Sequence, residues 1–169
     1  MKKRSGFTLV ELMVTLVVAA VLLMVGVPSF IQTIRNNNTV AQVNRLVTSL
    51  NLARSEAVKS GVQVTMAKTG AQWEGGWQLF TDQDRDGVVD AGDTVLKVYG
   101  ALRQGYTLRT GANFSNWVGY LPTGVSRGNG GSNDTFRLCA DNQVTAEGRS
   151  VVVNTVGRIR MDKGTASCP

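Results

Sequence analysis

The sequence predicts an α+β fold in which a long N-terminal helix packs on an antiparallel β-sheet. Two observations predict this class. As far as residue 59 the apolar residues recur mainly at helical spacing, and beyond Gly61 short runs alternate apolar with polar residues, as strands do. With 169 residues, of which the first 30 or so form an apolar segment, the rest suits one soluble domain with a single core.

The first element is an apolar helix. From Phe7 to Val27 the chain has 21 residues with one charge, Glu11, and basic residues stand at positions 2 to 4. Such a run is long enough to cross a bilayer. It continues to Pro28, beyond the length of a cleaved secretory signal, so we expect it to be kept. The preceding cations predict a cytoplasmic N-terminus and an exported remainder.

The second half of the helix is amphipathic. Its apolar residues, among them Val43, Leu46 and Leu50, mostly stand three or four apart, and basic and amide residues fill the other faces. Lys59 in the last turn and Gly61 just beyond it are a stop signal. We expect this half to cover one face of the sheet.

Short β-type runs follow, each flanked by Gly, Asn, Asp or Pro. They lie at residues 62–66, 77–81, 94–100, 106–110, 135–139, 150–153 and 158–161. The glycine-rich stretch 126–134 is predicted to be a loop.

The composition argues against catalysis. The chain has no histidine, which is the usual general base and a common metal ligand. Its two cysteines, Cys139 and Cys168, lie in the part expected to be exported, where a disulfide is favoured over a pair of free thiols. Without histidine, and with both thiols oxidised, no Cys/His or Ser/His catalytic arrangement can form. We therefore do not expect the protein to be an enzyme.

The stretch GFTLVELMVTLVVAAVLLMVGVP at residues 6–28 closely resembles the leader junction and N-terminal helix of type IV pilins and type II secretion pseudopilins. The resemblance implies cleavage between Gly6 and Phe7 by a prepilin peptidase, N-methylation of Phe7, and packing of the apolar helix, up to Pro28, into a filament core. A carboxylate in hydrocarbon is costly unless it is paired. We therefore expect Glu11 to meet the new α-amine of Phe7 on a neighbouring subunit. The alternative is a plain anchor that tolerates a carboxylate.

Further stretches resemble the FimT/FimU and GspH group of minor pilins. They are ARSEAVKSG (53–61), GWQLFTDQDRDGVVDAGDTVLKV (76–98), YLPTG (120–124), FRLC (136–139) and GRIR (157–160). The resemblance implies the pilin fold. The expected domains are a prepilin leader at 1–6, a transmembrane and filament-core helix at 7–28, its amphipathic half at 29–60, and a β-rich globular domain at 61–169.

The same resemblance implies a minor pilin that initiates or caps a type IV pilus. Such a protein is held by a single pass in the inner membrane, with its globular domain in the periplasm, until it enters the pilus. Its expected partners are other minor pilins, the major pilin and the prepilin peptidase, in a system for twitching motility or natural transformation. The alternative is a GspH-like minor pseudopilin of a type II secretion system.

An acidic stretch, DQDRDGVVDAGD at residues 82–93, has the spacing of an EF-hand-like calcium loop. Gly87 occupies the position of the sharp turn, and carboxylates occupy positions 1, 3, 5, 9 and 12 of that loop. These carboxylates are Asp82, Asp84, Asp86, Asp90 and Asp93. Strand-like flanks and Arg85 inside the loop favour a solvated structural turn instead. The sequence requires no cofactor, and a calcium site and a solvated turn remain the alternatives.

Two arginines near the C-terminus suggest contact with phosphates. Strand alternation places Arg158 and Arg160 on one face, and Lys163 can extend the patch. GRIR resembles the Gly-Arg-x-Arg signature of FimT proteins that bind DNA. There a proline and a further basic residue follow, whereas here Met161, Asp162 and Lys163 follow, so the match is incomplete and Asp162 opposes phosphate. No aromatic side chain is interleaved, so the hypothesis is weak, sequence-independent DNA binding, and the alternative is a solvated strand face.

Overall fold

The fold was analysed in a computed structural model, which describes residues 6–140, 148–164 and 168. Within them a single α-helix, α1 (Leu9–Ser60), precedes all the strands, and a 3-10 turn lies at Trp73–Gly75. The strands are β1 (Gln63–Lys68), β2 (Trp77–Asp82), β3 (Val95–Tyr99), β4 (Tyr106–Arg109), β5 (Trp117–Tyr120), β6 (Ser126–Gly128), β7 (Asp134–Ala140), β8 (Arg149–Val153) and β9 (Ile159–Lys163).

The described strands form two antiparallel sheets. A five-stranded sheet has the order β3-β2-β1-β5-β6, and a four-stranded sheet has the order β4-β7-β8-β9. The α+β class, with a long N-terminal helix and antiparallel strands, is therefore confirmed. The strands are divided between two sheets, which the sequence did not specify, because side-chain alternation identifies a strand without identifying the strand it pairs with.

Two strands, β5 and β6, were not predicted from the sequence pattern. In β5 every residue is buried, so no alternation of apolar and polar residues marks it. β6 lies in the stretch 126–134 that was expected to be a loop, and it pairs with β5 at the edge of the sheet. Its last residue, Gly128, lies where a Cβ atom would clash with the Asn113 carbonyl and the Phe114 ring. Here glycine permits close approach of two chain segments rather than a flexible loop.

The chain divides into two compact units, residues 1–38 and 39–169. In the second unit α1 contributes one apolar face to the core. The residues of α1 in that core are Val43, Leu46, Leu50, Ala53 and Ala57. Large aromatic side chains fill much of the rest: Trp73, Trp77, Phe114, Tyr120 and Phe136. The amphipathic pattern of residues 39–60 thus marks the face that the helix buries.

Two arginines attach α1 to the turns between strands. The Arg45 guanidinium donates to the Gly100 carbonyl at 2.5 Å and lies 5.2 Å from the centroid of the Trp77 ring. About two and a half turns further along α1, Arg54 Nε donates to the Gly124 carbonyl at 3.0 Å and its Nη2 to the Val156 carbonyl at 3.2 Å. Carbonyls that no strand pairs are satisfied by charged donors of the helix.

A disulfide joins β7 to the C-terminal segment. Cys139 and Cys168 are bonded, with their Cα atoms 5.8 Å apart and a sequence separation of 29. The predicted pairing is confirmed. The crosslink restrains a segment that follows the last strand, β9.

Candidate functional site

The N-terminal unit presents an apolar helical surface. Every residue from 6 to 37 is exposed, and α1 is long and apolar enough to cross a membrane by length and composition. The exposed large apolar side chains before residue 35 are Phe7, Leu9, Val10, Leu12, Met13, Val14, Leu16, Val17, Val18, Val21, Leu22, Leu23, Met24, Val25, Val27, Phe30, Ile31 and Ile34. A surface of this kind requires lipid or protein around it.

The residues expected to be processed lie next to the helix start. Gly6 and Phe7 have no regular secondary structure, and the Phe7 side chain is exposed. Apart from Gly6, the leader predicted at residues 1–6 lies outside the described residues. Pro28 lies inside α1, which is assigned without interruption from Leu9 to Ser60.

Glu11 takes part in a capping box with Thr8. The Thr8 hydroxyl accepts from the Glu11 N–H at 3.2 Å, and Glu11 Oε2 accepts from the Thr8 N–H at 3.2 Å and from its hydroxyl at 3.1 Å. This reciprocal pair caps two backbone donors at the start of α1. This role was not predicted from the sequence, although the spacing Thr-x-x-Glu is its usual signal.

The acidic loop between β2 and β3 brings three of its five aspartates together. One oxygen of each of Asp82, Asp84 and Asp86 lies within 4.8 Å of the others. The other two carboxylates are not in this cluster. Asp90 Oδ1 accepts from the Gly92 N–H at 2.9 Å, and Asp93 accepts from the N–H groups of residues 83 and 90. Asp84 and Asp86 also each accept from one backbone N–H of the loop. The structure therefore splits the EF-hand-like set into a cluster and a capped turn.

Asp82 lies in a buried polar group that the sequence analysis did not anticipate. Its side chain is fully buried. Asp82 Oδ2 accepts from Thr65 Oγ1 at 2.6 Å, from Gln63 Nε2 at 2.8 Å and from the Gly87 N–H at 3.2 Å. Gln63 and Thr65 alternate with core residues along β1, so they lie on the face opposite the main core. Only the pairing of β1 with β2 places them beside Asp82.

The loop is packed onto this face by aromatic contact. Gly87 has a positive φ of 80°, and a Cβ atom there would clash with the Trp117 indole. Trp117 in turn packs with Ala67, Phe80 and Val89 in a small second core. Desolvation and the negative charges of neighbouring aspartates raise the pKa of Asp84, while a hydrogen bond from the Asp86 N–H lowers it. The carboxylates therefore lie in a mutually repulsive arrangement.

Of the three C-terminal basic residues predicted to contact phosphates, only two lie on the same surface. Arg158 and Arg160 line a surface depression of about 330 Å³ together with Val152 and Asn154. Arg160 Nη2 is 2.9 Å from Asp162 Oδ2, an ion pair on the exposed face. Lys163 lies on the opposite face of β9, since it pairs with Arg149 in the row of alternate residues that contains Ile159.

Sequence comparisons match this chain to one protein family and to one N-terminal motif. Residues 42–157, more than half of the chain, match the family described as type II transport protein GspH. Residues 1–27 match the prokaryotic N-terminal methylation motif. No curated protein matches the sequence significantly.

Solved structures with a similar fold include two proteins of pilus and secretion systems. The type IV minor pilin FimU of Pseudomonas aeruginosa superposes with a TM-score of 0.63 at 21% identity, covering 80% of this chain and 98% of FimU. The minor pseudopilin EpsH from the type II secretion system of Vibrio cholerae gives a TM-score of 0.54 at 15% identity, covering 75% of this chain and 97% of EpsH. At these low identities the two superpositions establish a shared fold and nothing further. From the extent of the family match, the chain belongs to the GspH family of type II transport proteins.

Proposed function

We propose that this protein is a minor pilin that helps to initiate or cap a type IV pilus. In this proposal residues 1–6 are removed, Phe7 is methylated, and α1 anchors the protein in the inner membrane with the globular domain in the periplasm. The observation that carries the proposal is the exposed apolar surface of residues 7–34, which bears one carboxylate, Glu11, four residues after the processing junction. Other minor pilins and the major pilin are the partners that would cover it.

The capping box leaves the charge of Glu11 available. Both bonds from Thr8 go to the same oxygen, Oε2, and neutral donors do not cancel the charge of a carboxylate. Cleavage after Gly6 creates a cationic α-amine on Phe7. In a low-dielectric filament core this amine and Glu11 of an adjacent subunit attract strongly, so their pairing favours one axial register.

A charge-removing substitution tests this role. Glu11→Gln keeps an acceptor for the Thr8 bonds but removes the charge, whereas Thr8→Ala removes the cap and keeps the charge. We expect Glu11→Gln protein to accumulate in the inner membrane and to be absent from sheared pili. Thr8→Ala protein should still enter pili, at a cost of about 1 kcal/mol in helix stability. Incorporation of Glu11→Gln protein at the wild-type level would refute the proposal.

A minor pseudopilin of a type II secretion system is the second candidate. It is favoured by the family match at residues 42–157 and by the similarity to EpsH. The same apolar helix serves either assembly, so a deletion strain separates them. Loss of twitching or transformation with normal protein secretion supports the pilus, and loss of secretion alone supports the pseudopilin.

Weak DNA binding is a further candidate activity of the pilin. The shared depression lined by Arg158 and Arg160 favours it, because two guanidinium groups on one face can contact successive phosphates. The Asp162 carboxylate opposes it by pairing with Arg160. Outside basic residues 2 to 4 the chain has 15 basic and 12 acidic side chains, so the attraction must be local.

Three variants test this activity by mobility shift at low salt. Replacing both Arg158 and Arg160 by Ala should abolish the shift, and Asp162→Asn should strengthen it by releasing Arg160. Lys163→Ala is the matched control, because it removes a cation from the other face of the same strand. An unchanged shift in the double arginine variant contradicts DNA binding through this face.

A further inference from the structure

We propose that Asp82, Asp84 and Asp86 hold a calcium ion at the base of the loop between β2 and β3. The inference goes beyond the proposed assembly function and does not depend on it. It starts from Asp82, which is fully buried at the end of β2. Within residues 6–140, 148–164 and 168 no ion pair joins any of the three aspartates to a basic side chain. A buried carboxylate with no cation beside it is strongly disfavoured.

The buried group around Asp82 also has acceptors that lack donors. Its donors, from Gln63, Thr65 and Gly87, all converge on Oδ2. Asp82 Oδ1 is buried and has no hydrogen-bond partner, and the same is true of Gln63 Oε1. An ionised carboxylate oxygen and an amide oxygen are both acceptors, so as acceptors these two buried oxygens do not satisfy each other. A cation is the kind of partner that such oxygens lack.

The exposed members of the cluster supply further oxygen ligands. Asp84 and Asp86 bring their carboxylates within 4.8 Å of Asp82, so up to three negative charges surround one point. Calcium prefers several carboxylate and carbonyl oxygens in a flexible loop, whereas magnesium demands a small octahedral site with several waters. The carboxylates of Asp82, Asp84 and Asp86, two of them in an exposed loop and one buried, match the preference of calcium.

The role of Asp82 differs from that in an EF-hand. There the loop lies between two helices, and all the acidic ligands come from the loop itself. Here the first ligand is the last residue of β2, and β1 holds it through Gln63 and Thr65. An ion at this position would therefore join the loop to the five-stranded sheet. We expect it to stabilise the hairpin rather than to open or close it.

Terbium luminescence provides a direct test with full-length, detergent-solubilised protein from which metals have been removed. The Trp117 indole packs against Gly87 of the loop, so it can transfer excitation energy to terbium bound there. Terbium emission should rise on addition to the wild type, and calcium should displace it. Millimolar calcium should also raise the melting temperature by several degrees, since a ligand that binds only the folded state stabilises it.

Variants locate the site within the loop. Asp84→Asn and Asp86→Asn change exposed residues, so they should fold and should weaken calcium binding at least tenfold. Asp90→Asn is the matched control, because it removes the same charge from the capped turn of the same loop; its affinity should stay within a few-fold of the wild type. Absence of terbium emission and of a calcium-dependent melting shift in the wild type overturns the site. The site is also overturned if Asp90→Asn weakens calcium binding as much as Asp84→Asn and Asp86→Asn do. If magnesium displaces terbium as well as calcium does, the choice of calcium is overturned.

Discussion

At the scale of single residues, one charged pair shows how burial and hydrogen bonding compete. Glu74, at the 3-10 turn, accepts from the Arg109 guanidinium and, at 3.3 Å, from the Leu108 N–H. Burial acts to raise the pKa of Glu74, but the bonds from Arg109 and from backbone N–H groups together outweigh it, so the pKa lies below its usual value. The pair ties the turn to the edge of the four-stranded sheet.

This pair predicts a pH-dependent contribution to stability. Because the folded state lowers the pKa of Glu74, the contribution is complete above the usual pKa of 4.5 and is lost as the pH falls through the lower folded value. We expect Glu74→Gln to lower the free energy of unfolding by at most about 1 kcal/mol at pH 7, since both side chains are partly exposed. Urea unfolding at several pH values should show this difference shrinking below pH 4.5.

The matched control is Glu56→Gln. Glu56 lies 3.6 Å from Lys59, whose side chain is well exposed, and a pair within one turn of a helix stabilises little, so its loss should change stability little at any pH. A Glu74→Gln effect that is the same at pH 3 and pH 7 would contradict the assigned charge interaction.

At the scale of elements, α1 has two roles on one continuous helix. Residues 6–37 are exposed, whereas buried positions begin at Thr39 and recur to Ala57. The Trp77 indole donates to Ser49 Oγ at 2.9 Å, so a polar residue on the buried face is satisfied by the sheet. The change from an all-apolar to an amphipathic pattern thus marks the part of α1 that contributes to the core of residues 39–169.

The disulfide predicts a large stabilisation of the C-terminal element. Cys168→Ser should lower the free energy of unfolding by roughly 3 to 4 kcal/mol, because a crosslink across about 30 residues restricts the unfolded chain. The midpoint of chemical denaturation measures the change. Reduction of the wild type should reproduce the loss and should leave Cys168→Ser unaffected. If reduction has no effect on the wild type, the bond does not contribute this stability.

At the scale of the whole molecule, the core is independent of the N-terminal unit. All the buried core residues lie at Val43 or beyond, and residues 39–169 form a compact unit of their own. The family match also begins within this unit, at residue 42. We therefore expect the globular domain to need the part of α1 from Val43 onward and to fold without the apolar part.

Truncation at two points tests this division. A fragment that begins at residue 29 should be soluble and should unfold cooperatively, with its disulfide formed. A fragment that begins at residue 61 should lose cooperative unfolding, because it lacks Val43, Leu46 and Leu50 and exposes the core face of the sheet. Circular dichroism during thermal unfolding distinguishes the two. Cooperative folding of the shorter fragment would show that α1 is dispensable to the core.

The sequence by itself determined the local features of this protein. The apolar and amphipathic halves of α1 and most strands follow from periodicity and short motifs, which depend on neighbouring residues alone. The partner of Cys139 followed because the chain has one other cysteine. The capping box of Thr8 and Glu11 could also have been predicted from its local sequence spacing.

Only the tertiary structure decided which distant segments meet. It divided the strands between two sheets, paired Arg160 with Asp162, and brought together three of the five loop aspartates. It also placed Gln63 and Thr65 of β1 beside Asp82. The physical reason is that alternation along a strand fixes which side chains share a face, whereas the neighbours on that face depend on strand pairing and packing across long chain separations.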